Sequence, residues 1–360
     1  MDETLTGGGP AAFLLRKRGG IRADWTDWVT YAYLLLGVVV MLLPVLWVVN
    51  SSLKTSSALD EFPPTLVPQT LVTVTVEGFD KPLPLYDVTD VSGQVRRMAQ
   101  VRRVGNRAQM IDPARPDDPR VVVDVASARP IRKIHFAFEN YTKLLAKSGA
   151  SIGTSVYNSL FITVVATLIT LVMNSMAAFA LSKYKFRGST FALTAILATL
   201  VVPHTVTLIP TYVIVAKLGL VDNLWGVILP VISTPTGVFL LRQYMLTIPD
   251  ELIEAARMDN ASEWRIYWRI VLPLTTPALA VVAIFSIMSR WNEFLLPLVV
   301  LVRPEVQTLQ LALARFTDEN GVQYDQLLAL TTLTALPLAF MFIFLQRYIT
   351  TGIASTGIKG

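Results

Sequence analysis

The chain contains no cysteine and only two histidines among its 360 residues. Without cysteine, disulfide frameworks, thiolate metal sites and cysteine nucleophiles are excluded. His135 and His204 lie far apart in the sequence and lack the spacing of metal ligands. No GxxxxGK[ST] pattern and no glycine-rich strand-to-helix turn is present to hold phosphates. The sequence therefore offers no nucleotide-hydrolysing site, and no Ser, His and Asp arrangement suggests a nucleophilic one.

Charged residues are also scarce. They make up 16% of the chain, against 53% hydrophobic residues. Soluble domains carry roughly 25% charged residues, so this composition is typical of an integral membrane protein. The net charge of +5 is modest, and the positions of the charges carry more information than their sum.

The first 50 residues predict a cytoplasmic tail and one membrane span. Residues 1–24 are rich in glycine and then basic, which predicts a flexible tail on the cytoplasmic side. Residues 1–20 lack the apolar region and cleavage site of a signal peptide, so we expect the following segment to be retained. That segment, residues 25–50, contains an uncharged run long enough to cross a core of about 30 Å.

Residues 51–150 differ from the rest and predict an extracytoplasmic region. Short alternating runs between prolines favour a β-rich insert over about 65–135. Five arginines in this insert permit two interpretations, a nucleic-acid surface or a solvated strand face: Arg96, Arg97, Arg102, Arg103 and Arg107. Loops longer than about 60 residues escape the positive-inside rule, so an outside location stands. That location favours the strand face and no nucleic-acid partner.

Residues 151–350 predict five further spans, and residues 351–360 a cytoplasmic tail. We expect the spans at Ser155–Leu181, Phe191–Val215, Leu224–Leu241, Thr275–Val302 and Gln326–Gln346. Pro203 and Pro210 are expected to break the third span. Pro230, Pro235 and Gly237 lie inside the fourth span and fit either a helix bent around a cavity or ordinary helix packing. Basic residues in the short loops predict six helices with both ends inside, and an outer loop around Arg303–Asp325.

Residues 247–273 form a polar, amphipathic stretch between two of these spans, which we call the elbow. Thr247 is a candidate N-cap, and Pro249 suits a first helical turn. Asn260 can adopt the left-handed conformation that ends one helix, and with Glu263 it can begin a second. The elbow either docks on another protein or lies on membrane lipid as an amphipathic connector.

Residues 254–273 of the elbow, EAARMDNASEWRIYWRIVLP, resemble the EAA loop of ATP-binding-cassette importer permeases. Other segments resemble the six-helix, MalG-like carbohydrate branch of that family: FAFENYTKLL at 136–145, NSL at 158–160, KYKFRG at 183–188, LLRQY at 240–244, WNEF at 291–294 and GIKG at 357–360. The resemblance implies an all-α integral membrane protein with the type I importer permease fold, in the bacterial inner membrane. It also implies several partners: a second homologous permease, two ATPase subunits that carry ATP and Mg²⁺, and an extracytoplasmic sugar-binding protein.

The resemblance also implies which residues couple the permease to the ATPase: Glu254, Ala255, Ala256, Asp259, Asn260 and Ala261. The alanines are small enough for the elbow to enter a cleft, and the acids can meet basic groups. Asn260 stands where the family pattern has glycine. Because Asn is the next-best residue for a left-handed cap, we still expect the turn to form.

Polar residues inside the spans give a candidate sugar path: Asn158, His204, Arg290, Trp291, Asn292 and Glu293. Arg290 and Glu293 lie three residues apart on one helix, where they can neutralise each other. Either they form a structural ion pair, or they line the path with Trp291 stacked on a sugar ring. Helix–helix hydrogen bonding explains Asn158 equally well, and His204 can simply accompany the helix break at Pro203.

The sequence therefore predicts the permease subunit of an ATP-driven importer for a sugar or glycoside, without a catalytic, cofactor or metal site of its own. The alternative is an ion-coupled secondary transporter or channel. That class predicts two related halves with paired, broken hydrophobic segments, which the six spans do not obviously form. A membrane enzyme, a third class, lacks a convincing set of residues.

Overall fold

The computed structural model describes residues 25–89, 94–116, 118–147, 149–319 and 323–354. The chain divides into two compact units, Met1–Ala137 and Phe138–Gly360. The predicted tail at 1–24 and the last six residues of the tail at 351–360 lie outside the described residues.

The first unit begins with a long apolar helix, α1 (Trp25–Ser52), in agreement with the predicted first span. Apolar side chains along almost its whole length are exposed, among them Met41 at 78%. This helix is apolar on every side, and the rest of the first unit does not bury it. Such a helix requires lipid or another protein around it. A short helix, α2 (Ser56–Leu59), follows.

The predicted β-rich insert is observed as two small antiparallel sheets. The strands are β1 (Gln69–Leu71), β2 (Thr73–Val74), β3 (Leu83–Thr89), β4 (Val95–Val104), β5 (Arg107–Ile111), β6 (Val121–Asp124), β7 (Ala128–Pro130) and β8 (Arg132–Ile134). β1 pairs with β8, and the larger sheet has the order β2-β3-β4-β5-β6, with β7 also on β3. Alternation fails to predict β3, because Pro84 lies in it and proline is depleted in strands. All five arginines singled out above are exposed on β4 and β5, which agrees with either interpretation of them.

The second unit is helical in all its described elements. Its α-helices are α3 (Glu139–Lys147), α4 (Gly149–Lys183), α5 (Ser189–Ala198), α6 (His204–Lys217), α7 (Leu224–Ile228), α8 (Pro235–Met245), α9 (Asp250–Met258), α10 (Glu263–Ile266), α11 (Leu272–Leu274), α12 (Thr276–Trp291), α13 (Leu295–Val300), α14 (Leu309–Glu319) and α15 (Tyr324–Ala354). A π-helical turn, Tyr267–Val271, joins α10 to α11. α4 lies at the centre and packs against α8, α12 and α14.

Three helices of the described chain are long and apolar enough to cross a membrane: Trp25–Ser52, Ile152–Lys183 and Tyr324–Phe344. The number rises to six if each of three bent helix pairs is one span. The pairs bend by 104° between Val201 and His204, by 44° between Val231 and Pro235, and by 77° around Thr275. The first bend falls at Pro203, as the sequence predicts, and the second falls at Pro235, where the sequence left a bend and ordinary packing open. Pro210, by contrast, lies inside α6 without ending it, so the break predicted there is wrong.

The expected fifth span, Thr275–Val302, is not continuous. α12 ends at Trp291, and α13 starts at Leu295 after a break that contains Asn292 and Glu293. The expected outer loop around Arg303–Asp325 is likewise mostly ordered, because Leu309–Glu319 forms α14. The sequence predicts one continuous span here because the six residues of α13 are apolar, and hydropathy alone does not indicate where a helix is interrupted.

Candidate coupling elbow and substrate cavity

The first helix of the elbow, α9, begins three residues later than its predicted cap. Pro249 is the N-cap residue, and no side chain caps this end. Thr247 is not the N-cap: its hydroxyl donates instead to the carbonyl of Tyr244 at 2.8 Å. The preceding helix therefore holds Thr247, and Asp250 and Glu251 provide the negative charge that favours a helix start.

Asn260 makes the turn between the two helices of the elbow. Its φ is 54°, the left-handed conformation that the sequence predicts for it. The backbone N–H of Ala261 donates to Ala256, and that of Asn260 donates to Arg257, both at 3.0 Å. These two bonds form a Schellman motif, which satisfies the last carbonyls of α9. Asn260 does not start the second helix, however, because the N-cap there is Ser262, whose hydroxyl accepts from the Arg265 N–H.

The elbow has one face against the core and one face exposed. Ile253, Ile266 and Tyr267 are buried in a cluster with residues of α4, α8 and α12, and Ala256 and Ala261 pack against it. The remaining predicted coupling residues are exposed: Glu254, Ala255, Asp259 and Asn260. The structure thus places the predicted set on both faces.

Two exposed apolar side chains extend the outer face. Met258 is 84% exposed and Leu252 45% exposed, although both belong to a short amphipathic helix. Sequence reasoning did not single them out as contact residues. A face that combines apolar side chains with acids suits a protein partner better than an anionic lipid surface.

Hydrogen bonds join the elbow to the end of α4. The Lys183 ammonium donates to the Ile248 carbonyl at 2.6 Å and to the Asp250 carboxylate at 2.7 Å. The Tyr184 hydroxyl donates to Glu263 Oε2 at 2.6 Å. Across the Asn260 turn, Arg257 Nε donates to Glu263 Oε1 at 2.8 Å. The sequence indicates only a capping role for Glu263, and it presents Lys183 and Tyr184 only as part of the KYKFRG motif.

These contacts shift pKa values outside the spans, among them those of Asp250 and Tyr184. The hydrogen bond from Lys183 holds the pKa of Asp250 below its ordinary value. Burial, together with the Glu263 carboxylate, raises the pKa of Tyr184 to about 12. Tyr184 is therefore a neutral hydrogen-bond donor throughout the physiological pH range.

A second candidate site is a pair of adjoining cavities in the second unit, of about 60 and 210 Å³. Both are lined by His204, Val231, Glu293 and Leu296. Arg290 lines the smaller cavity. The helix breaks at Pro203 and after Trp291 bring His204 and Glu293 to the same walls. Three of the six predicted path residues thus meet around this space.

Arg290 and Glu293 do not form the expected ion pair. The Arg290 guanidinium donates to the Thr170 hydroxyl at 2.7 Å, to the Ser286 hydroxyl at 2.6 Å and to the Val231 carbonyl. It thereby joins α4, α12 and the bend between α7 and α8. The Glu293 Oε1 atom instead accepts hydrogen bonds from the backbone N–H groups of Leu295 and Leu296, at 3.1 and 3.3 Å. The break in the fifth span explains the error, because it turns Glu293 away from the helix that carries Arg290.

The other three predicted path residues lie outside these two cavities. Trp291 is only 3% exposed, and its Nε1 donates to the Thr334 carbonyl at 3.0 Å, so its ring cannot stack on a sugar here. Asn292 is exposed and donates to the Met288 carbonyl. Asn158 is buried and donates to the carbonyls of Glu305 and Gln307, at 3.1 and 3.0 Å. Asn158 therefore fastens the segment before α14 to α4.

Within the described ranges, no three His, Cys, Asp or Glu side chains are grouped so that they could hold a metal ion. The arrangement offers an elbow with an exposed outer face and two mostly apolar cavities with a few polar groups.

A family model for the binding-protein-dependent transport system inner membrane component matches residues 167–355, which include the elbow and most of the cavity walls. The chain belongs to this family. It is a membrane permease component, and its apolar helices are compatible with a protein that crosses the membrane several times.

Curated relatives agree with this assignment. The arabinooligosaccharides transport system permease protein AraQ of Halalkalibacterium halodurans is 40% identical over 203 residues, 56% of this chain and 73% of the relative. AraQ of Bacillus subtilis is 36% identical over 224 residues, 62% of this chain and 79% of the relative. The sn-glycerol-3-phosphate transport system permease protein UgpE of Brucella abortus is 30% identical over 210 residues, 58% of this chain and 74% of the relative.

A solved structure has the same fold. A chain in the crystal structure of a bacterial ABC transporter involved in the import of the acidic polysaccharide alginate matches with a TM-score of 0.64. The match covers 91% of this chain and 99% of that one at 21% identity. The present chain therefore has the fold of a type I ABC importer permease.

Proposed function

We propose that this permease imports a sugar or glycoside across the bacterial inner membrane, driven by ATP hydrolysis on separate subunits. The names of the AraQ relatives support a carbohydrate substrate. The observation that carries the proposal is the elbow, because its outer face is exposed while its inner face is buried in the transmembrane core. Such a helix can transmit a movement of a soluble partner subunit to the membrane spans.

The proposed topology has six spans with both ends in the cytoplasm. The three long helices supply three spans, and the first two bent pairs supply two more. The fifth span along the chain is Thr276–Trp291 of the third pair, whose other helix, Glu263–Leu274, belongs to the elbow. The elbow at 247–273 then lies on the cytoplasmic side, between the fourth and fifth spans, and the β-rich insert at about 65–135 lies outside. The proposed assembly contains a second homologous permease, two ATPase subunits with ATP and Mg²⁺, and an extracytoplasmic sugar-binding protein.

The two adjoining cavities are the proposed substrate path on this chain. Their walls combine apolar residues with a few polar groups, among them His204, Thr207 and Glu293, as small-molecule sites usually do. Residue Arg290 contributes a guanidinium whose Nε finds no acceptor in the described part of the chain. Thr211 lines the larger cavity. Thr211→Trp should fill that cavity with a large side chain and block sugar uptake, while the complex still assembles.

We propose that the insert forms part of the surface on which the binding protein docks. The insert follows the first span and so lies on the extracytoplasmic side in the proposed topology, which supports this role. Replacing residues 65–135 by a short linker should weaken binding-protein affinity and uptake. If both stayed intact, the insert would have no part in docking.

Broken helices also occur in ion-coupled carriers, where they surround a central site. Three bent pairs are present here, so this observation by itself does not separate the two classes. Ion coupling would make uptake depend on an ion gradient and not on an ATPase, which the following experiment distinguishes.

The test is Glu254→Lys, which reverses a charge on the exposed face of the elbow. We expect the ATPase subunits to copurify with the unchanged permease, and the variant to insert normally but lose substrate-dependent ATP hydrolysis. Asp60→Lys, a reversal of the same charge at an exposed position outside the insert, is the matched control and should keep substrate-dependent ATP hydrolysis. A fully active Glu254→Lys variant would remove that residue from the coupling face. Uptake by the unchanged permease without any ATPase would refute the proposed function itself.

A further inference from the structure

The end of α4 contacts both helices of the elbow through side chains that the EAA pattern does not include. Lys183 is the last residue of α4, and Tyr184 follows it directly. Lys183 binds the start of the elbow, at Ile248 and Asp250, whereas Tyr184 binds Glu263 at the start of its second helix. Two consecutive residues thus hold the elbow on either side of its turn.

The Lys183 side chain connects α4 to the start of the elbow through a contact that has little freedom to move. Its side chain is only 2% exposed, although Asp250 is 72% exposed. Exposed ion pairs contribute little, so the pair with Asp250 is the weaker half of this contact. The Ile248 carbonyl provides the stronger half, because a buried ammonium requires an acceptor and a backbone carbonyl cannot swing away.

Glu263 connects Tyr184 with the first helix of the elbow. Its Oε2 accepts from the Tyr184 hydroxyl, and both of its oxygens accept from the Arg257 guanidinium, at 2.8 and 3.2 Å. Such bidentate pairs fix the relative orientation of the two groups. The Tyr184 ring also lies edge-on to Phe179 of α4, with ring centroids 5.3 Å apart, which limits its rotation.

α4 connects these contacts with the rest of the unit. Through Thr170 it accepts a hydrogen bond from Arg290, and through Asn158 it holds the segment before α14. The chain joins the elbow directly to α8 and α12, but α4 is separated from it by more than 60 residues. A displacement of the elbow therefore reaches α4 only through non-covalent contacts.

We propose that Lys183, Tyr184, Arg257 and Glu263 form a clamp that transmits movement of the elbow to α4. The clamp residues are positioning residues: they do not contact the sugar, and they hold α4 to the element that the ATPase drives. The inference rests on the proposed function, in which the elbow receives the ATPase.

The experiment uses the full transporter complex in liposomes with its binding protein. Lys183→Met and Tyr184→Phe keep the side-chain volume but remove the polar contacts. In the double variant we expect the number of sugars imported per ATP hydrolysed to fall at least threefold, at equal content of ATPase subunits. Lys185→Met is the matched control, since it removes the same charge from an exposed neighbour of the same loop and should leave that ratio unchanged.

Two outcomes would overturn the clamp. One is an unchanged sugar-to-ATP ratio in the double variant. The other is an equal fall in the Lys185→Met control. A lower melting temperature of the double variant with an unchanged ratio would also leave these residues a structural role only. Failure of the proposed function looks different, because the ATPase would then be absent from the purified complex of the unchanged permease.

Discussion

Arg257 and Glu263 face each other across the turn of the elbow, with Arg257 Nε 2.8 Å from Glu263 Oε1. The five residues between them include the left-handed residue of the turn, Asn260, and the two backbone bonds of the Schellman motif close that turn. The ion pair and the turn therefore depend on each other. If the turn opens, the pair separates, and Tyr184 loses the orientation of its acceptor.

Substitutions at Asn260 should separate backbone strain from side-chain contacts. Asn260→Gly should keep full coupling, because glycine adopts a φ of 54° freely. Asn260→Val should distort the turn, since a β-branched residue is an outlier there, at a cost of about 1–3 kcal/mol. Substrate-stimulated ATPase activity of the reconstituted complex measures the effect. Equal activity of the two variants would mean that coupling does not need the left-handed turn.

Gly237 lies where a side chain has no room. A Cβ atom there would meet Asn174 Nδ2 at 2.2 Å and Thr234 Oγ1 at 2.6 Å. Asn174 also accepts from the Thr234 N–H at 3.1 Å, so α4 holds the residue that precedes α8. We expect Gly237→Ala to lower the free energy of unfolding by about 1–3 kcal/mol.

Gly153 provides the matched control for that change, because it lies in α4 with nothing within 4 Å of its Cβ position. Gly153→Ala should be neutral or stabilising by up to about 1 kcal/mol. Thermal unfolding of the two purified variants makes the comparison. A Gly237→Ala protein of unchanged stability would show that the Asn174 side chain can move aside to make room for the added methyl group.

A double-mutant cycle tests the separation of Arg290 from Glu293. Arg290→Gln should lower the free energy of unfolding by about 1.5–3 kcal/mol, because it removes charged hydrogen bonds to Thr170, Ser286 and Val231. Glu293→Gln retains a carbonyl oxygen for the Leu295 N–H and should cost less than about 1 kcal/mol. The coupling energy between the two should stay below about 0.5 kcal/mol. A coupling energy above about 1 kcal/mol would indicate an ion pair after all.

The pKa of Tyr184 makes the effect of Tyr184→Phe independent of pH. A pKa raised to about 12 means that the hydrogen bond to Glu263 contributes fully below the unfolded value and is lost only as pH rises through about 12. The difference in sugar-to-ATP ratio between the variant and the unchanged permease should stay constant from about pH 6.5 to about pH 9. A difference that shrinks toward the upper limit would show that the phenol ionises much earlier.

Much of this fold could be predicted from the sequence, because long apolar runs and prolines act locally. The first span, the bend at Pro203 and the left-handed Asn260 depend on a few neighbouring residues, and the structure has all three. The break after Trp291 could not be predicted, since its flanks are equally apolar. The Arg290–Glu293 expectation failed for that reason, as it assumed an unbroken helix.

Contacts between distant segments were also beyond the sequence. Nothing in local spacing indicates that Lys183 reaches Ile248, or that Asn158 holds Glu305, because 65 and 147 residues separate them. The burial of Trp291 follows from packing by α3, α4 and α15, which periodicity does not specify. The motifs nevertheless marked these places, since KYKFRG, NSL and WNEF all contain the residues involved.

Cross-linking from the elbow tests the central claim most directly. The chain has no cysteine, so Ala255→Cys introduces a single thiol on the exposed face, to which a photoactivatable cross-linker can be attached. Leu218→Cys, at the exposed end of α6, provides the matched control on the opposite side of the proposed membrane. In the assembled, transport-active complex we predict a covalent adduct with the ATPase subunit from Ala255→Cys and none from Leu218→Cys. Capture of the ATPase from Leu218→Cys, or none from Ala255→Cys, would contradict the coupling role of the elbow.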